Sequence, residues 1–177
     1  MHEPDREMAD VLARQVRLPD SARYGTSSLV GATAFALNGE EPLFSLFRPP
    51  QVTRQESGEA RLLALTGKRV VEVTATLSGE WGLTVCNDHG RDVEVRVTSL
   101  SAFTRITVRG GHWLHDERTH ASHVLSDSSA ALSGVGESLW LWEEGDPSLT
   151  RVDEDALLRG LGVIARAIGH PQELATE

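Results

Sequence analysis

Hydrophobic and polar positions recur along this chain with two different periods. The change of period divides it into a helical start, a long strand-rich middle and a helical end. Residues 4–17 place Met8, Val11, Leu12 and Val16 on one apolar stripe. Pro4 suits a first helical position and acidic residues crowd the opening turn, so the spacing predicts an N-terminal helix within residues 1–20, closed by "LPDS". "SLVGATAFAL" (28–37) and "PLFSLF" (42–47) follow; both read as strands, and the first reads equally well as a buried helical turn. "RPPQVTRQESGE" (48–59) is a polar loop containing two prolines.

The clearest section runs from about residue 61 to 109, where short runs alternate with a period of two. "VVEVTATL" sets Val71, Val73, Ala75 and Leu77 against Glu72, Thr74 and Thr76. "EWGLTVC" aligns Trp81, Leu83 and Val85, "NDHGRD" is a turn, and "VEVRV" alternates valine with Glu94 and Arg96. "AFTRITV" puts Ala102, Ile106 and Val108 on one side. Four short alternating runs at this spacing predict an antiparallel meander with one wet face. "SHVLS" and "SLWLWEE" (138–144) add two strands, so the sheet region spans 28–145.

A C-terminal helix is expected over 150–169, followed by a tail at 170–177. Its buried stripe is Leu157, Leu161, Ile164 and Ile168, Thr150 and Asp153 fit a capping box, and Gly169 and Pro171 end it. The fold class predicted is α+β in one domain over 1–177: a mainly antiparallel meander or half-barrel of about seven to nine strands, with a helix at each end.

Length and composition are consistent with one core-forming soluble domain: 177 residues, 40% hydrophobic and 24% charged. The net charge of −9 and the scattered arginines disfavour nucleic acid and anionic lipid as partners. Lys68 is the only lysine, a bias that fits a GC-rich coding sequence better than any chemistry. The single cysteine, Cys86, excludes an intrachain disulfide framework. The opening "MHEPDREMADVLARQ" lacks a charged-then-apolar signal, and no run is apolar enough to span a bilayer. A cytoplasmic location is the expectation.

Candidate chemistry gathers in "GGHWLHDERTHASH" (110–123), which holds four of the seven histidines. His112, His115, His120 and His123 are spaced H-x2-H-x4-H-x2-H, with Asp116 and Glu117 between them. A hairpin tip at 116–119 would oppose His115 with His120 and His112 with His123. Opposed Cβ atoms lie about 5 Å apart, within reach of one shared ion. Strands alternate faces, however, so the two dyads would point to opposite sides. Each would then need further ligands to complete a zinc, iron or manganese site. A solvated hairpin, or a pH-sensitive partner surface, explains the same spacing.

"GLGVIA" (160–165) satisfies the letter of a dinucleotide fingerprint but lies inside the C-terminal helix with no strand before it. Close packing of that helix explains the glycines better. Cys86 and His89 flank a turn that would aim them apart, and "GVGESLW" only loosely resembles a nucleophile elbow. Trp140 and Trp142 share one face of their strand by alternation, while Phe44 and Phe47 precede the double proline. These four rings are the candidate ligand or partner surface.

The function expected is that of a non-enzymatic binding or accessory protein. It would present a sheet-plus-helix surface to a protein partner or a small apolar ligand, with a homodimer as one form of that partnership and no cofactor. The alternative is a small metal-dependent enzyme built on the histidine cluster.

Overall fold

The computed structural model describes residues 3–18, 27–53, 56–78, 93–110 and 128–169. Three helices and seven strands occur there: α1 (Glu3–Gln15), α2 (Ser27–Leu37), β1 (Phe44–Arg48), β2 (Ser57–Leu65), β3 (Arg69–Ser78), β4 (Val93–Ser99), β5 (Arg105–Gly110), β6 (Ser128–Ser133), β7 (Ser138–Trp142) and α3 (Glu154–Gly169). Strands β1–β4 form one antiparallel sheet in chain order, and β5–β7 form a second. The α+β class expected from the sequence is the class observed.

Within that class the arrangement differs from a single curled meander. The chain leaves the first sheet through a 3-10 turn at Leu100–Ala102. That turn is anchored by the Leu100 amide donating to the Lys68 carbonyl at 2.8 Å. β5 therefore opens a new sheet instead of extending the old one, and no closed barrel forms among the described residues. β3 pairs directly with β4, Val71 opposite Val97 and Val73 opposite Val95. The expected strands "EWGLTVC" and "SHVLS" lie outside the described residues.

The first sheet carries an apolar core on each face. On one side Phe47, Ala60, Leu62, Ala64, Val71, Val73, Ala75 and Leu77 pack beneath α1 and α2. On the other, Phe44, Leu46, Leu63, Leu65 and Val70 meet the inner face of the second sheet and the buried stripe of α3. β2 is thus covered on both sides, with Ala60, Leu62, Leu63, Ala64 and Leu65 all buried. A strand covered on both faces has no reason to alternate, which is why "RLLAL" carries no clear strand period.

Residues 27–37 correct the expected extent of the sheet region, because they are helical. Leu29, Val30, Ala34 and Leu37 are buried between α1 and the sheet. Thr33, buried within this helix, returns its hydroxyl to the Leu29 carbonyl at 2.8 Å.

α3 begins four residues later than expected. Asp153 is its N-cap, Oδ1 accepting from the Ala156 amide at 2.9 Å. Thr150 belongs to the preceding 3-10 turn and donates its hydroxyl to the Pro147 carbonyl at 2.8 Å, so the Thr150–Asp153 capping box does not form. Gly160 explains half of "GLGVIA". A Cβ there would stand 2.4 Å from Phe44 Cδ1, so the missing side chain lets α3 settle onto β1. Gly162 has no such neighbour, the nearest atom being Arg166 Nη1 at 3.8 Å.

Candidate functional site

The outer face of the second sheet is built by simple alternation. β5 turns Ile106 and Val108 inward against the core and sends Arg105, Thr107 and Arg109 outward. On β6, Ala130 and Leu132 go inward, and Ser129, Ala131 and Ser133 lie outward. The register places Arg105 opposite Ser133, Thr107 opposite Ala131, and Arg109 opposite Ser129. Trp140 of β7 stands opposite Ala131 on the far side of β6.

A row of small side chains therefore runs between two arginines and an indole, and the face is concave. The groove is an open cleft of about 270 Å³ lined by Arg105, Thr107, Arg109, Ser129, Ala131, Ser133 and Trp140. Both arginines are exposed, and neither has an ion pair or a hydrogen bond to another side chain among the described residues. Four strand residues span about 13 Å and two strand spacings about 10 Å, so the face is the size of a short peptide segment. Two guanidinium forks, three hydroxyls and a half-exposed indole suit carboxylates flanking an apolar or aromatic group.

A β-bulge sets Trp140 apart from Trp142. Ala131 pairs with Trp140 and Ala130 with Trp142, which leaves Leu141 as an extra residue on β7. The bulge reverses the parity of the strand, so Leu141 and Trp142 are both buried while Trp140 remains 47% exposed. Trp142 is fully buried and its Nε1 donates to Ser128 Oγ at 3.0 Å. Simple alternation put the two tryptophans on one face; the bulge separates them. Phe44 and Phe47 are likewise buried, one in each core, so of the four candidate rings only Trp140 meets solvent.

Beside the groove, a second cleft of about 280 Å³ follows the seam between the two sheets. Most of its charges are paired. Arg61, buried, donates Nε to Glu72 Oε1 at 2.6 Å, Nη2 to the Trp140 carbonyl at 2.6 Å and Nη1 to the Leu141 carbonyl at 3.4 Å. One guanidinium thus ties β2 and β3 to the backbone of β7 at its bulge. Arg48 lies 3.7 Å from Glu143 and 3.9 Å from Asp146, and Arg96 pairs with Glu137. Ion pairs line the seam between the sheets, whereas the groove's two arginines meet no carboxylate among the described residues.

His112, His115, His120, His123, Asp116 and Glu117 lie outside the described residues, as do Cys86 and His89. Among the described residues, no group of three or more His, Cys, Asp or Glu side chains is placed to hold a metal ion. No helix there is long and apolar enough to cross a membrane. The sequence reading passed over Arg105, Thr107 and Arg109, although R-x-T-x-R on the wet side of an alternating strand was the available signal. The small residues "SSAALS" that make the floor of the groove gave little sign of a strand. No family model, curated protein or solved structure matches this chain, so the site rests on its own geometry.

Proposed function

We propose that this chain is a non-enzymatic binding or accessory protein, and that the outer face of its second sheet receives an acidic segment of a protein partner. The observation that carries the reading is the pair Arg105 and Arg109, exposed and without acidic partners among the described residues, in a chain of net charge −9. Four other arginines, Arg48, Arg61, Arg69 and Arg96, each meet a carboxylate. Two guanidinium groups on one concave face, unpaired with any carboxylate among the described residues and with Trp140 beside them, favour an extended segment carrying carboxylates and one apolar side chain. The groove is open and arginine-rimmed, which suits a protein segment better than the small apolar ligand also considered from the sequence.

Selection from a displayed random-peptide library tests this reading. The wild-type protein should enrich acidic peptides with an embedded apolar residue, and a folded Arg105→Ala/Arg109→Ala variant should lose that enrichment. Equal enrichment by both proteins, or none by either, contradicts it.

A further inference from the structure

Among the described residues, β4 closes one side of the first sheet and no strand pairs with its outer edge. It pairs with β3 alone, and Val93, Glu94, Val95, Arg96 and Val97 are exposed on both faces of the strand. Val71 and Val73 on the neighbouring strand are fully buried under the helices, whereas Val93, Val95 and Val97 in the same layer are 37%, 44% and 48% exposed. The apolar face of the sheet thus continues one strand beyond its cover. An uncovered edge strand of this kind is a template for another strand.

The five residues V-E-V-R-V select which strand. A second copy can pair antiparallel about a two-fold axis perpendicular to the sheet, and only registers centred on a residue satisfy that symmetry. Centred on Val95, the pairing sets Glu94 opposite the partner's Arg96 and Arg96 opposite the partner's Glu94. Val93 then meets the partner's Val97, and the two Val95 side chains meet on the axis. Centring on Glu94 or Arg96 instead brings like charges face to face. One register therefore satisfies both charges and aligns all three valines, and it lies within a strand whose outer edge is unpaired among the described residues.

We infer that two copies of this chain associate through β4, joining their first sheets into one continuous eight-stranded sheet. The order is β1-β2-β3-β4 followed by the same strands of the partner in reverse. Helices α1 and α2 of both copies lie on one face, and the valine row becomes continuous beneath them. Arg96 keeps enough donors to hold Glu137 of its own chain while meeting the partner's Glu94. The groove on the second sheet uses none of these residues, so this inference does not depend on the binding reading above.

Sedimentation equilibrium of the full chain reads the outcome directly. Wild-type protein should sediment as a dimer of the 19.3 kDa chain, dissociating on dilution. Glu94→Arg sets arginines against each other across the axis, and Arg96→Glu does the same with glutamates, so each variant alone should be monomeric. Mixed together, the two should form a heterodimer, because every opposed pair is again of opposite sign. That recovery also establishes that both variants are folded. A wild-type monomer at all concentrations overturns the inference. So do single variants that dimerise as well as wild type, or a mixture that stays monomeric.

Discussion

Alanine at Gly160 and at Gly162 makes the same chemical change two residues apart in one helix, and the structure assigns the two substitutions opposite signs. Both remove a glycine from a helix interior, which is worth about 1 kcal/mol in intrinsic propensity. At Gly162 that gain stands nearly alone, because the new methyl meets only Arg166 Nη1 at 3.8 Å. At Gly160 the new Cβ lies 2.4 Å from Phe44 Cδ1, 2.9 Å from Cε1 and 3.3 Å from Leu43 Cβ. Ordinary carbon contacts lie at about 3.5–4.0 Å. Phe44 is 1% exposed and held between β1 and α3, so the ring cannot swing into solvent.

Overpacking of this kind costs roughly 1–3 kcal/mol, which outweighs the propensity gain over most of that range. Gly162→Ala should therefore stabilise by about 0.5–1 kcal/mol, and Gly160→Ala should destabilise by about 1–2 kcal/mol. In a chain of this size the two variants should melt about 3–12 °C apart. Urea unfolding followed by far-UV circular dichroism measures both free energies. In a double-mutant cycle, Phe44→Leu should recover part of the loss in the Gly160→Ala background while destabilising wild type. Two alanines that stabilise equally would show that α3 does not rest on Phe44, and the arrangement of this core would fall with it.

Three further expectations follow from other parts of the molecule. Arg61→Ala strands Glu72 and two β7 carbonyls at the sheet seam; breaking a buried pair costs about 3–5 kcal/mol, so differential scanning calorimetry should show a fall in Tm of roughly 6–20 °C. Glu154 has its carboxyl pKa raised above the ordinary 4.5, first by burial and then by the neighbouring Asp155 carboxylate. The folded state therefore holds that proton to higher pH than the unfolded state, and stability falls as pH rises through the window above 4.5. Relative to wild type, Glu154→Gln should gain stability between pH 4 and pH 6, and a difference that is flat with pH would refute the shift. Elemental analysis of untagged protein should find no stoichiometric zinc, iron or manganese, with His112→Ala and His120→Ala unchanged in stability. One equivalent of metal lost on either substitution would move the account to the metal-enzyme alternative.

What the sequence made legible follows from where each element sits. α1 and α3 each press one face on the sheet, so their apolar residues fall into a 3.6-residue stripe, and Leu12, Val16, Leu157 and Ile164 were identifiable as core. α2 is apolar nearly all round because it lies between α1 and the sheet, and a helix without a polar face leaves no period to read. β2 was obscured for the same reason. β7 alternated as expected as far as Trp140, after which the bulge at Leu141 inverted it. A one-residue bulge leaves no mark in the hydrophobic pattern, so the separation of Trp140 from Trp142 could not be read there. The groove was legible in part: Arg105, Thr107 and Arg109 alternate with core residues, but their convergence on Trp140 depends on β6, whose small residues resemble a loop.

The binding reading is tested most directly by fluorescence anisotropy with a labelled extended peptide. The peptide carries two glutamates four residues apart and a leucine between them. Wild-type protein should bind it with an affinity that weakens as salt is added, as charge-steered recognition requires. Arg105→Ala/Arg109→Ala should lose at least tenfold in affinity, about 1.4 kcal/mol, with an unchanged Tm. Trp140→Ala should weaken binding without removing the salt dependence. Binding that survives loss of both arginines undiminished would contradict the claim that this face is the site.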